Sequence, residues 1–395
     1  MSFKTLGLQE ELLTAIEKKG YKVPSSVQQQ AIPMVLLGKD IIGCAQTGTG
    51  KTAAFALPLL QLLSQKEAKH KRAVRALILA PTRELALQID QEIKKYGTNI
   101  KLKSSAIFGG VDINAQTKII KAGLDIIIAT PGRLIDHLDR KNIRLDSIEY
   151  LVLDEADRML DMGFIHDVKK IIAKTPTTRQ TLLFSATISP EINELSKFAL
   201  KNPEFIQIEQ NIKPADSVEQ IVLPVCKSEK AGLLLYLLNF DDFETVIIFS
   251  RTRYGADKIF KFLTKNNVKA TVLHSDKSQN QRQAALNNFK SGSISVLIAT
   301  DIAARGIDVS NISHVINYDV PETPEDYVHR IGRTGRAEKF GQALTFVDNE
   351  ELKKYFRIRT KIKNIEIREC PPYTDLTIIP QPKIVNKSKN KRRRK

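Results

Sequence analysis

The chain has 395 residues, with 61 Lys and Arg against 44 Asp and Glu, a formal net charge of +17. That length exceeds what a single hydrophobic core keeps filling, so two domains are expected, and 42% hydrophobic residues can fill both. No run approaches the roughly 18 uninterrupted apolar residues of a membrane span, and Met1 to Thr5 form no apolar signal core, so a soluble, cytoplasmic protein without a membrane partner is expected.

Short β-branched runs at 40–44, 76–80, 125–129, 150–153 and 181–184 alternate with helical stretches, and the pattern repeats at 245–249, 270–273, 294–299, 314–318 and 343–347. Alternation of this kind predicts an α/β fold of parallel sheets covered by helices on both faces. The polar, proline-containing segment 210–217 has no periodicity and reads as a linker between domains at 1–209 and 218–370. Residues 348–370 are largely charged with helical spacing and close the second domain. In the basic tail, 371–395, eight of the last thirteen residues are Lys or Arg and none is acidic, which leaves +9 of the +17 on the preceding residues. Both body and tail therefore suit a polyanionic partner, and 383–395 lacks the apolar residues to fold, so a disordered basic arm is expected.

Most strand-like runs end in polar or glycine-rich clusters, where open α/β sheets place ligand-binding residues. The clearest is Gly43 to Thr52, GCAQTGTGKT, between an apolar run and a helix-forming stretch. Gly48 and Gly50 let backbone amides turn towards an anion, Lys51 reaches β/γ-phosphates, and the Thr52 hydroxyl can ligate Mg²⁺ at a helix N-terminus. Ala45 stands where the phosphate-loop pattern has its first glycine. The run 150–153 ends in Asp154-Glu155-Ala156-Asp157. Alone, such a cluster suits an exposed turn or a helix N-terminus. Paired with a phosphate loop it suits hydrolysis, with Asp154 holding Mg²⁺ partly through water and Glu155 orienting or deprotonating the attacking water. Only the first half has this equipment. In the second, Arg333 and Arg336 flank glycines and can present two guanidinium groups to a γ-phosphate. Cys44, Cys226 and Cys370 are scattered without metal-site spacing, and no His-Glu-x-x-His occurs, so inert thiols are expected.

Taken in order, the motifs resemble those of the DEAD-box RNA helicases of superfamily 2 over residues 3–347. They are Gly20 to Gln28 with Phe3 upstream, Ala45 to Thr52, Pro81 to Leu85, Gly109-Gly110, Thr130 to Arg133, Asp154 to Asp157, Ser185 to Thr187, Gln279 with Arg282, Thr300 to Asp308, and His329 to Arg336. The stretches DEADRMLDMGF and QQQAIP are most similar to the bacterial RhlE-type branch.

The resemblance implies two tandem RecA-like domains, ATP and Mg²⁺ as cofactors, and RNA as the partner. Gln28 would read adenine through its amide, with Tyr21 or Phe3 packing around the base, although one proline usual in that motif is missing here. Gln46, Thr47 and Thr49 would complete the nucleotide loop, and Gly306 and Asp308 would reach the nucleotide from the second domain. Thr82, Arg83, Gly110, Thr130, Gly132 and Arg133, with Arg251, Gln279, Arg282 and Thr300, would contact RNA. These are backbone-binding residue types, so binding would be independent of sequence. Ser185 and Thr187 would hydrogen-bond Asp157, with His329 joining that network. The expected activity is RNA-stimulated ATP hydrolysis coupled to domain closure and local, non-processive unwinding of short duplexes. An ATP-gated RNA clamp or annealing factor shares every motif, and a DNA-directed superfamily 2 translocase is a further alternative. Protein partners are not legible in the sequence.

Overall fold

In a computed structural model, residues 2–45, 49–66, 73–207, 217–240, 243–304, 312–335, 340–362 and 364–368 are described. The linker, apart from Ser217, and the basic tail lie outside them. The described residues form two compact units, 2–207 and 217–368, and each is built on one seven-stranded sheet.

In the first unit the strands are β1 (Ile41–Cys44), β2 (Ala76–Leu79), β3 (Ser104–Ile107), β4 (Ile126–Ala129), β5 (Tyr150–Leu153), β6 (Gln180–Ser185) and β7 (Glu204–Gln207), in the order β3-β4-β2-β5-β6-β1-β7. In the second they are β8 (Val218–Pro224), β9 (Val246–Phe249), β10 (Ala270–Leu273), β11 (Val296–Ala299), β12 (His314–Asn317), β13 (Gly341–Val347) and β14 (Ile365–Ile367), in the order β10-β11-β9-β12-β13-β8-β14. Every pairing between these strands is parallel.

β2, β4 and β5 are buried along their whole length, as parallel strands between two helical layers must be. Their alternate residues feed two cores. Ile78, Ile128 and Val152 pack with Leu12, Phe55 and Phe184 on one face, while Leu77, Ile127 and Leu151 pack with Met159, Ile171 and Leu195 on the other. Gly43 stands opposite Phe184 in the β1–β6 register, and a Cβ there would lie 2.6 Å from the Phe184 ring. The phenylalanine therefore needs the glycine beside it.

Ten strands fall on the β-branched runs. The other four, β3, β7, β8 and β14, occupy three of the four sheet edges and the position next to one of them. β3 reads Ser-Ser-Ala-Ile and is only half-buried over its first three residues, and β8 interrupts its apolar residues with exposed Glu219. A strand covered on fewer sides needs no continuous apolar run, which is why these escape a search for one.

Because every strand in a sheet points the same way, the segments after β1, β2, β4, β5 and β6 emerge along one edge of the first sheet. Those after β9, β11 and β12 do the same in the second. No helix among the described residues is long and apolar enough to cross a membrane.

Candidate active site

In the first unit β1 delivers buried Ala45 to the phosphate loop, whose Gln46, Thr47 and Gly48 lie outside the described residues. Gly50 has φ +88 and caps the helix Lys51–Ser64. A Cβ on it would fall 2.4 Å from Gln28 Nε2, so both the left-handed turn and the crowding require glycine. Gln28 is buried in the first turn of the helix Ser26–Leu36. Its Oε1 accepts from Ser25 N (2.9 Å), and its Nε2 donates to the Gly50 carbonyl (3.2 Å). Ser25 Oγ donates to the Thr49 carbonyl at 2.7 Å, a second tie to the same loop.

Lys51 is buried, and its Nζ has no hydrogen-bond partner among the described residues. An ammonium in that state is costly unless an anion completes it, which fits a phosphate cradle and so fits ATP. Thr52, half-buried on the next position of the helix, and Asp154 offer the hard oxygen donors that suit Mg²⁺.

β5 ends at Asp154, which is 2% exposed. Burial pushes its pKa up to about 6, opposed by the Lys51 cation and reinforced by the Glu155 charge. Its Oδ1 accepts from Glu155 N at 3.0 Å. Glu155 is left-handed, φ +53 and ψ +52, at the start of the short helix Ala156–Asp161. Its Oε2 accepts from Arg158 Nη1 at 2.9 Å, in a pair buried on both sides.

Asp157 joins this turn to β6. Its Oδ2 accepts from Ala186 N and Thr187 N, both at 3.0 Å, and from Thr187 Oγ1 at 3.3 Å. Ser185 Oγ accepts from Asp157 N (3.3 Å) and donates to the Thr187 carbonyl (2.7 Å).

Of the two aromatic candidates for the adenine, Phe3 is 5% exposed and packs within the hydrophobic core. Tyr21 is 44% exposed. Lys19 Nζ lies 5.4 Å from its ring centroid and 4.3 Å from that of Tyr96, and it pairs with Glu92.

A second cluster follows β2, β3 and β4 along the same edge. Thr82 caps the helix Arg83–Tyr96, its Oγ1 accepting from Leu85 N at 3.3 Å. Arg83 lies over Gly109 and Gly110, and a Cβ on Gly110, whose φ is +81, would fall 2.0 Å from Arg83 Nη1. Thr130 precedes the helix Pro131–Asp139, and a Cβ on Gly132 would meet open space. Arg133 is less available than its place in the motif implies. Its side chain is 11% exposed, and Nη1 donates to the Val111 carbonyl (3.1 Å) and Gln116 Oε1 (2.8 Å), bracing the glycine loop from behind.

In the second unit, exposed Arg251 follows β9, with its backbone N donating to Asp319 Oδ2 at 2.7 Å. Thr300, buried, follows β11, while Gln279 and buried Arg282 lie on the helix Gln279–Lys290. His329 is half-buried on the helix Pro324–Ile331, and Arg333, just beyond it, is 5% exposed. Gly306, Asp308 and Arg336 lie outside the described residues.

Two arginines escaped the sequence reading of the site. One is Arg158. The other is Arg330, whose Nε and Nη2 engage both Asp301 oxygens (2.6 and 2.7 Å) while Nη1 donates to Asn317 Oδ1 (3.2 Å) and the Asp319 carbonyl (2.7 Å). Arg330 stood inside a recognised motif, but its role as an anchor depends on partners supplied by β12 and by the segment after β11.

The geometry is that of a nucleotide-hydrolysing α/β enzyme. The DEAD/DEAH box helicase model matches residues 25–195, and the helicase conserved C-terminal domain model matches residues 229–338. The chain is 42% identical over 384 residues to the DEAD-box ATP-dependent RNA helicase CshA of Bacillus cereus, covering 97% of this chain and 72% of that protein. It is 43% identical over 375 residues to the ATP-dependent RNA helicase CshA of Listeria monocytogenes, covering 94% and 71%. Among solved structures, S. cerevisiae Dbp5 bound to RNA and ADP BeF3 aligns with a TM-score of 0.83 at 32% identity, over 94% of this chain and 95% of that one. The chain belongs to the DEAD-box ATP-dependent RNA helicases, ATP-hydrolysing enzymes with tandem RecA-like domains.

Proposed function

We propose that the chain is an RNA-stimulated ATPase whose two RecA-like domains, divided within 210–217, close on ATP and RNA together and locally separate short duplexes. The observation that carries this reading is the buried Lys51 ammonium, which has no hydrogen-bond partner among the described residues and lies near enough to Asp154 for its charge to act on that carboxylate. Lys51 and the loop around it would hold the β/γ-phosphates. Thr52 and Asp154 would hold Mg²⁺, which supplies charge neutralisation on the phosphates. Glu155 would orient the attacking water.

Gln28 would favour adenine over guanine through its amide, with Tyr21 against the base and Gly306 and Asp308 approaching from the second domain. Arg333 and Arg336 would act on the γ-phosphate once the domains close, and His329 would join Asp157, Ser185 and Thr187 in linking hydrolysis to closure. Thr82, Arg83, Gly110, Thr130, Gly132, Arg133, Arg251, Gln279, Arg282 and Thr300 would line the RNA path. Arg133 would serve chiefly by bracing the Gly109-Gly110 loop against it. ATP and RNA would each favour the closed form, so each raises the affinity for the other. The tail at 383–395 would tether structured RNA electrostatically.

Within the family, the RhlE-type likeness rests on two short stretches. The relatives named above are of the CshA type, which favours a bacterial DEAD-box assignment without singling out the RhlE branch.

The test is twofold. Single-stranded RNA, and not single-stranded DNA, should stimulate phosphate release, and ATP should drive strand displacement of a short RNA duplex. Stimulation by RNA without displacement would favour an ATP-gated clamp, and equal stimulation by DNA a translocase.

A further inference from the structure

The three acids of the Asp154–Asp157 turn are each restrained differently. The Asp154 carboxylate accepts from the next backbone amide, and that of Asp157 from the backbone of Ala186 and Thr187. The Glu155 carboxylate is held by a side chain, Arg158 Nη1 at 2.9 Å, with the two side chains 4% and 5% exposed. Glu155 also has a left-handed backbone, which a residue with a side chain keeps only where its surroundings hold it.

Comparison with Arg330 shows what Arg158 is not. Arg330 uses Nε, Nη1 and Nη2 on three residues, as a guanidinium that cements a fold does. Arg158 is equally buried, yet its Nη2 has no hydrogen-bond partner among the described residues. A buried cation left under-satisfied is a poor stabiliser. Its location, one turn along the helix from Glu155, is what the arrangement retains.

We propose that Arg158 is a positioning residue for ATP hydrolysis, fixing the Glu155 carboxylate where it orients the attacking water. The inference rests on the role given to Glu155 above. In that step the water oxygen bonds to the γ-phosphorus, the bond to the β–γ bridging oxygen breaks, ADP leaves with the electron pair, and Glu155 takes the proton of the water. A carboxylate on a long, rotatable side chain performs this only if its position is set beforehand, and displacement by about 1 Å costs on the order of 10² in rate.

The test uses the full chain with Arg158→Met, which removes the cation at similar volume, and Arg158→Lys, which keeps it. Under saturating single-stranded RNA, Arg158→Met should lower kcat by about 10² while leaving the KM for ATP within about twofold, and Arg158→Lys should recover part of the loss. In a Glu155→Gln background, Arg158→Met should cause no further loss of single-turnover rate, because the group it positions is already gone. If Arg158→Met does not fold, as judged by melting, Arg158→Lys carries the same comparison. Wild-type kcat in Arg158→Met, or an equal loss in the Glu155→Gln background, would overturn the proposal. Wild-type kcat in Glu155→Gln alone would instead show that Glu155 is not the water-orienting group.

Discussion

Gln28 Nε2 donates to the carbonyl of Gly50, so the residue expected to recognise the base also braces the loop expected to hold the phosphates. Its Oε1 meanwhile holds Ser25 N at the start of its own helix. Both functions of the amide are engaged, and each oxygen lone pair and N–H that remains is presented from a side chain that cannot rotate freely.

Gln28→Ala should therefore act on stability as well as on nucleotide choice. Losing the cap and the loop bond should cost roughly 1–2 kcal/mol of folding free energy, seen as a lowered denaturation midpoint of the first domain. ATP affinity should fall about tenfold for a comparable loss at the loop. Gln28→Glu keeps the acceptor but loses the donor, and its carboxylate would face the Gly50 carbonyl, so it should be no better. A variant that loses only the discrimination between ATP and GTP, with unchanged stability, would show that the bond to Gly50 is incidental.

Gly110→Ala tests the second cluster. The new methyl would be placed 2.0 Å from Arg83 Nη1 on a backbone with φ +81, so Arg83 must move and the turn is strained. The left-handed conformation alone should cost about 1–2 kcal/mol. RNA binding, followed by fluorescence anisotropy, should weaken while ATP binding in the absence of RNA changes little. Loss of both together would indicate that the loop supports the whole domain.

How far the sequence could be read depends on whether a residue's environment is local. Tyr150-Leu151-Val152-Leu153 followed by Asp154 is legible because a parallel strand buried on both faces must be apolar throughout and its end is where the sheet meets ligand. β3, with Ser104 and Ser105 half-exposed at a sheet edge, offers no such signal. The ordered motifs named candidate residues for the site, but not how they are engaged. Arg133 looks like a surface cation in the sequence, and only the fold of 108–116 beneath it shows that its Nη1 is already engaged by Val111 and Gln116. Arg158 and Arg330 are likewise defined by their acidic partners.

Asp154 gives a prediction with a definite pH sign. Burial first, then the neighbouring Glu155 charge, raise its pKa from 3.8 to about 6 despite Lys51. For a carboxyl group whose pKa is higher in the folded state, the folded protein binds more protons between those values, so stability falls as pH rises from about 4 to about 6. Asp154→Asn removes that cost. The nucleotide-free variant should melt above the wild type at pH 7.5, by an amount worth up to about 2–3 kcal/mol, and the gap should narrow as pH is lowered through 6 towards 4. The same variant should not hydrolyse ATP. A gap of constant size across that range would mean that the Asn effect has nothing to do with ionisation.

Arg333 separates closure from binding. It belongs to the second unit, whereas Lys51, Gln28 and Asp154 all belong to the first, so its removal leaves the phosphate loop as it is. Arg333→Ala should keep the affinity of the RNA-free protein for a fluorescent ATP analogue within about twofold while lowering RNA-stimulated phosphate release by about 10³ or more, as loss of an arginine finger does. Because the side chain is only 5% exposed, truncation could also loosen the second domain, so Arg333→Lys serves as the companion variant. Lysine keeps the charge but not the planar fork that bridges phosphate oxygens, and it should remain strongly impaired if the guanidinium acts on the γ-phosphate. Full activity in Arg333→Lys together with a lowered melting temperature in Arg333→Ala would instead make Arg333 a support for the helix Pro324–Ile331.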